Sequence, residues 1–324
     1  MSKQNILLYI VSGLITIILL IYLFQNLDWE ILRTAFRNIE WGWFTLALLS
    51  YLISVLLRAQ RFTTLMYSRQ VQWYKFIPVS ALHNILLYLL PAQTGDVTYI
   101  FIAKKSLNLS ITEGTATLLA ARFYDMVVVA FILAVLLPFS KNDMPSWVFY
   151  SAVLFCLITL LAGIAIFILL RFSKPMAHIE EFQQQNIFTR IRIAWMKFIT
   201  GLQEIQTNKV HAKTLFLTAG IWLCLYLNHY FATQSIGLAI SFYHIALISV
   251  VMIALTLIPV QGFANLGTHE IGWATVLTAF NYPYETALAI AVGTHFTLLI
   301  SVLVANGFAF VGSQLIIPLL ERET

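Results

Sequence analysis

Asp96 and Glu270 are carboxylates set in otherwise apolar stretches, "LLPAQTGDVTYIF" (89–101) and "LIPVQGFANLGTHEIGWA" (257–274). An acid at membrane depth is costly and marks a functional position by default: it can carry a proton or cation, or bind an amine-bearing or hydroxylated headgroup. The competing role is helix capping, since each acid stands where a helix would restart after a glycine. His269, adjacent to Glu270, can relay a proton or simply hold a hydrogen bond. Arg122 and Asp125, in "TLLAARFYDMVVV", are three apart on one helix face and are expected to pair. Arg122 then engages a lipid phosphate with Asp125 orienting it, ties two helices together, or snorkels to the cytoplasmic surface. Arg58 and Arg61 also stand at i, i+3, where they close the second span as a basic patch at the cytoplasmic interface. His83, His229, His244 and His295 are scattered over separate apolar segments without ligand spacing. No metal and no cofactor is expected.

The elements that must position these residues follow from composition. Of 324 residues 60% are hydrophobic and 10% charged, with a mean hydropathy of +0.83. These values exclude an ordinary soluble domain and describe a polytopic α-helical membrane protein. Complete spans are expected at 6–24, 41–57, 116–137, 147–170, 214–233 and 285–312. The first follows Lys3 but precedes no small-residue cleavage site, so it reads as a retained span. Two apolar segments, 76–90 and 242–258, cover only ~22 and ~25 Å at ~1.5 Å per residue, and each ends at a proline within a polar, glycine-containing break.

The net charge of +5 does not imply nucleic acid, because the basic residues gather in a few loops between spans. Cys156 and Cys224 belong to no CxxC or Cys/His set, and there is no phosphate loop, HExxH or GxSxG. The stretches 58–75 and 171–213, the latter with seven Lys or Arg, are cytoplasmic by the positive-inside rule, as are Lys104 and Lys105. Only one arrangement satisfies all three. Residues 76–103 form a re-entrant hairpin opening to the cytoplasm, and residues 242–280 form one of opposite orientation. Both termini are then cytoplasmic.

The chain therefore divides into two units of inverted topology, about 41–137 and 214–312, within one transmembrane domain spanning 1–324. Residues 1–40 supply the first span and an outer connector. Residues 171–213 supply a cytoplasmic amphipathic connector, which lies on the anionic leaflet or packs on the bundle. The two Pro-x-Gln triplets of the chain, ending at Gln93 and Gln261, occupy equivalent places. Paired interrupted helices in opposed halves point to a transporter's midplane site. Non-helical backbone at that depth needs polar partners, so both breaks should face a shared cavity. The helix-start amides after each break suit an anion such as a lipid phosphate.

"RAQR" (Arg58, Arg61), "PAQTGD" (Gly95, Asp96), "ARFYD" (Arg122, Asp125) and "NLGTHE" (Gly267, Glu270) resemble, in order and spacing, the lysylphosphatidylglycerol synthase transmembrane, or flippase-like, family of bacterial and archaeal membrane proteins. The resemblance covers about 41–312. The family commonly carries an arginine three residues after the first acid, where this chain has Tyr99. In aminoacyl-lipid synthases this membrane part is similar to a flippase domain fused to a cytosolic acyltransferase-like domain. With the sequence ending at Thr324, the resemblance implies a stand-alone member that translocates lipid without synthesising it.

The expected protein is thus a cytoplasmic-membrane flippase or transporter for a polar or phosphate-bearing lipid, anionic or aminoacylated, with a separate synthase as a potential partner. Its expected site comprises Arg58, Arg61, Gln93, Gly95, Asp96, Arg122, Asp125, Gln261, Asn265, Gly267, His269 and Glu270. The alternatives are an intramembrane lipid-modifying transferase with Asp96 or Glu270 as general base, and an accessory subunit of a lipid-synthesis complex. An intramembrane aspartyl protease is a poor fit: Gly95-Asp96 precedes Tyr124-Asp125, the reverse of the required order, and position 93 is Gln rather than Gly.

Overall fold

The computed structural model describes residues 3–66, 71–91, 94–140, 145–172, 210–238, 240–256 and 262–320. Among them are eleven α-helices and no strand: α1 (Lys3–Asn26), α2 (Trp29–Arg37), α3 (Trp41–Leu65), α4 (Ile77–Leu89), α5 (Thr94–Leu107), α6 (Ile111–Ser140), α7 (Ser146–Phe172), α8 (His211–Ser235), α9 (Phe242–Thr256), α10 (Thr268–Ala279) and α11 (Tyr284–Leu320). Short 3₁₀ turns stand at Trp73–Phe76 and Phe263–Asn265. An all-helical outcome is what a lipid environment dictates, because a helix satisfies its backbone polar groups within its own segment.

Five helices are long and apolar enough to cross a membrane: Trp41–Leu65, Glu113–Phe139, Ser146–Ile166, His211–Ser235 and Tyr284–Leu320. A sixth is counted when α1 and α2 are taken together across their 89° bend. Asp28 makes that bend a defined one, since its carboxylate accepts hydrogen bonds from the Glu30 and Ile31 amides and starts α2 afresh.

The boundaries differ from the expected ones in a consistent direction. The expected second span, 41–57, runs on as α3 to Leu65 and carries Arg58 and Arg61 inside the helix. They are therefore not a patch at its end. Arginine is a good helix former, and a charge ends the apolar run without ending the helix. The last span, expected at 285–312, extends as α11 to Leu320. Most of the 171–213 connector, including its amphipathic stretch, lies outside the described residues.

The short helices pair. α4 packs on α5, and α9 packs on α10. Pro91 stops α4 because it can neither donate a backbone hydrogen bond nor let its predecessor stay helical, and Leu90 is accordingly extended. Gly95 is where the two arms touch: a Cβ there would lie 2.2 Å from the Leu87 Cα. Only a residue without a side chain permits that approach.

The second break is closed differently. Ala264, Asn265 and Gly267 all adopt left-handed backbone, with φ of 51°, 57° and 84°. For the alanine this costs about 1–2 kcal/mol. The break leans on α1: the Phe263 amide donates to Thr16 Oγ1 at 2.9 Å, and a Cβ on Gly267 would meet the Leu19 side chain at 2.2 Å.

The long helices hold these pairs in place. Among the described residues, α3 and α8 make the most extensive helix contact, along a face of α3 where Ala47, Ser50 and Ser54 are buried. Small residues let helix backbones approach in a medium where apolar side chains gain nothing by leaving lipid. Asn228 on α8 fastens the contact by donating to the Ala47 carbonyl at 2.8 Å and to Ser301 Oγ on α11 at 3.1 Å. α11 also packs on α4, where Asn84 donates to Asn306 at 3.3 Å.

Candidate functional site

Asp125 is the centre of one polar cluster. Arg61 Nη1 donates to its Oδ1 at 2.5 Å, Trp222 Nε1 donates to the same oxygen at 3.1 Å, and Arg122 Nη1 stands 3.6 Å from Oδ2. Arg61 is only 2% exposed. It is a buried ion-pair partner, not the interfacial anchor that its place at the end of an apolar run implied. A guanidinium so enclosed persists because the carboxylate compensates it; without that partner the desolvation cost would be several kcal/mol.

Arg122 and Asp125 approach each other as their spacing implies, but the shorter contacts of Arg122 go elsewhere. Its Nη2 and Nε donate to Asp96 Oδ1 and Oδ2 at 2.5 and 3.2 Å. Both oxygens of Asp96 thus face a two-pronged donor, the geometry in which guanidinium binds carboxylate best. His83 on α4 stands 3.7 Å from the same acid.

Tyr99 lies one turn beyond Asp96, fully buried, with its ring stacked on Phe62 at 4.5 Å and its hydroxyl lacking a hydrogen-bond partner.

Glu270 is the centre of a second cluster. Its Oε2 accepts from the Gly267 amide at 2.7 Å, closing a capping box at the start of α10. Its Oε1 lies 2.5 Å from His295 Nδ1 on α11. Since the carboxylate accepts, His295 Nδ1 carries the hydrogen. His269 stacks on His295 with ring centroids 4.2 Å apart, and His229 stacks on Trp273 at 5.2 Å. Both ring nitrogens of His269 and Nε2 of His295 are buried without hydrogen-bond partners.

The two acids therefore share no hydrogen-bond partner among the described residues. Gln93 and Gln261 lie outside those residues. Gly95 and Gly267 act through the backbone, the first by close approach and the second by its left-handed turn. Trp222, Asn84 and Thr218, to which Arg61 Nη1 donates at 3.4 Å, were not singled out in the sequence, and His295 was noted only as one of four histidines without ligand spacing. One signal pointed to His295: Asp96 meets a basic residue 26 positions later, and Glu270 meets one 25 positions later.

A cavity of about 630 Å³ is lined by α4 of the first short pair, by α9, α10 and the second break, and by residues of the longer helices. α4 contributes Asn84 and Tyr88 to its wall, the second break contributes Asn265 and His269, and α3 contributes Tyr51 and Arg58. The Arg58 Nε–H finds no acceptor. Trp147, Trp222 and Trp273 add three indole rings to the wall. Such a space, apolar in area with a few convergent polar groups, has the make-up of a small-molecule or headgroup site.

An all-helical chain with five or six candidate spans and charge pairs held between helices is a multi-pass membrane protein. It belongs to the lysylphosphatidylglycerol synthase TM region family, whose profile it matches over residues 9–305. It is also similar to a UPF0104 membrane protein from Methanocaldococcus jannaschii, at 26% identity over 205 residues, 63% of this chain and 83% of that relative. No solved structure matches the chain.

Proposed function

We propose that this protein moves a phosphate-bearing lipid between membrane leaflets, its headgroup passing through the cavity between the two interrupted helix pairs while the acyl chains remain in the bilayer. The family description names lysylphosphatidylglycerol, a membrane phospholipid, so an anionic or aminoacylated phospholipid is the leading cargo. A separate synthase would make it.

The observation that carries this reading is Arg58. It lines the cavity, its Nε–H has no acceptor, and among the described residues no carboxylate forms an ion pair with it, whereas Arg61 and Arg122 are matched by Asp125 and Asp96. The charge of Arg58 is thus left unpaired beside the cavity. A lipid phosphate supplies both the missing charge and the missing acceptor. Arg61, Arg122, Asp96 and Asp125 then act as positioning residues that hold Arg58's surroundings, and Asn265 and His269 face the headgroup from the other side.

The inverted-repeat reading draws support from the contacts. Exchanging α3 with α8, α4 with α9, α5 with α10 and α6 with α11 converts the α4·α11 contact into α9·α6, and α5·α6 into α10·α11; both members of each pair occur. In this reading α4–α5 and α9–α10 are re-entrant hairpins opening to opposite faces, six spans surround them, and alternating access exchanges their exposure. The basic loops support cytoplasmic termini.

The test is reconstitution in liposomes with fluorescent phospholipids bearing anionic, zwitterionic and aminoacylated headgroups, leaflet exchange being read by quenching from outside. Wild type should exchange at least one of them, and Arg58→Gln should slow it at least ~10-fold, the loss of one charge-assisted hydrogen bond. Exchange equal to that of protein-free liposomes for every headgroup would end the proposal. Recovery of a covalently altered lipid would move the assignment to a transferase.

A further inference from the structure

The cluster around Glu270 is over-supplied with lone pairs. As a neutral imidazole, His295 gives its N–H to Glu270 and turns Nε2 outward as an acceptor; that atom is buried and without a partner, in a residue 1% exposed. His269, 6% exposed, has a lone pair on one nitrogen and an N–H on the other, and neither is matched. A buried polar atom left unsatisfied costs about 1–3 kcal/mol and calls for an explanation such as an ion or water. Arginine chemistry solves the equivalent problem at Asp96. Here, among the described residues, no lysine or arginine pairs with the carboxylate, which meets only His295 and the Gly267 amide.

We propose that His269, Glu270 and His295 form a binding site for one divalent transition-metal ion of the zinc class. One donor atom from each residue lies within 4.8 Å of the other two. Donors around a tetrahedral zinc with bonds of ~2.0–2.2 Å stand roughly 3.3–3.5 Å apart, so rotations of the three side chains through about 1 Å complete the set. Two imidazoles and a carboxylate are borderline donors that suit zinc, cobalt or nickel better than magnesium or calcium, which prefer all-oxygen sites.

The surroundings meet the remaining requirements of a metal site. Glu270 Oε2 is oriented by the Gly267 amide, which is the kind of outer hydrogen bond that fixes a ligating carboxylate. On binding, the ion takes the place of the proton between His295 and Glu270, and that proton moves to Nε2, so that His295 ligates through Nδ1 as a neutral imidazole. His269 also lines the cavity, giving the ion a route in and leaving a fourth position that a cavity water or an anionic oxygen can fill. Nothing in this depends on lipid movement.

The experiment uses full-length protein without a histidine tag, in detergent, stripped with chelator and titrated with Co²⁺. The expected result is a saturable visible ligand-field spectrum at about one ion per chain, displaced by Zn²⁺. His269→Gln should weaken binding by more than ~100-fold, beyond the ~10–100-fold effect of an outer-shell partner. That variant is the informative one, because His269 makes no hydrogen bond that its loss would break. His295→Gln should behave likewise, and Cys156→Ser with Cys224→Ser should retain the spectrum. Folding of each variant is followed by elution profile and circular dichroism. Absence of a saturable spectrum, or one unchanged in folded His269→Gln, overturns the proposal and leaves the lipid reading intact.

Discussion

Asp96 and Glu270 are both the third residue of a short helix that restarts after a break, and both meet a side chain on the long helix that follows. There the likeness ends. Asp96 faces a guanidinium and adjoins a second acid that is itself matched by Arg61 and Trp222. Its neighbourhood is built from fixed charge. Glu270 faces an imidazole, uses its other oxygen to cap its own helix, and sits among histidines whose nitrogens are unmatched. After the first break the carboxylate is held by a guanidinium; after the second it stands among imidazoles. The same position in a restarted helix thus meets two different kinds of partner.

The comparison breaks most sharply at Asp125. Asp125→Ala strands Arg61 in the interior and should cost about 3–5 kcal/mol in unfolding measurements, the penalty for removing one member of a buried pair. A loss under 1 kcal/mol would show that Arg61 reaches water or another partner.

The two break acids should differ by less, but in a fixed order. Asp96→Asn cannot offer charge to Arg122 and should lose about 1.5–3 kcal/mol, the range for a hydrogen bond to a charged group. Glu270→Gln keeps an oxygen for the Gly267 amide and should lose about 1 kcal/mol. Equal losses would mean that the two halves are not electrostatically distinct.

The strain lies on the opposite side of the comparison. Ala264→Gly relieves a left-handed alanine in the second break only and should raise stability by about 1 kcal/mol. The smallest effect belongs to Tyr99→Phe, which removes a buried hydroxyl with no partner while keeping the stack on Phe62. Thermal unfolding should be unchanged or slightly raised, and a clear loss would reveal a hydrogen bond to this hydroxyl.

Long apolar runs, the break at Pro91 and the glycines at both restarts were legible in the sequence, because each follows from backbone sterics and from the need to satisfy peptide groups in lipid, while Pro259 lies outside the described residues. The depth of the arginines was not. Arg58 and Arg61 look like interfacial anchors when only their own helix is considered, and Arg61 becomes interior only when α6 brings Asp125 against it. Spacing along the chain found Arg122 with Asp125 and missed the closer contact with Asp96, which runs between helices. His295 was hidden for the same reason: its partner is 25 residues away, and helical periodicity reports only neighbours on the same face. The residues that sequence reasoning weighed singly act in this structure as pairs across elements.

The N-terminal helix has a practical bearing on how the protein can be handled. Thr16 accepts the Phe263 amide, Leu19 covers Gly267, and Gly13 faces the Phe263 ring. A fusion partner attached ahead of residue 11 leaves these contacts alone, but a deletion that reaches Thr16 exposes a turn some 250 positions downstream in the gene product. Cloning boundaries chosen from the repeat units alone, starting at Trp41, would yield a protein whose second half is missing a wall.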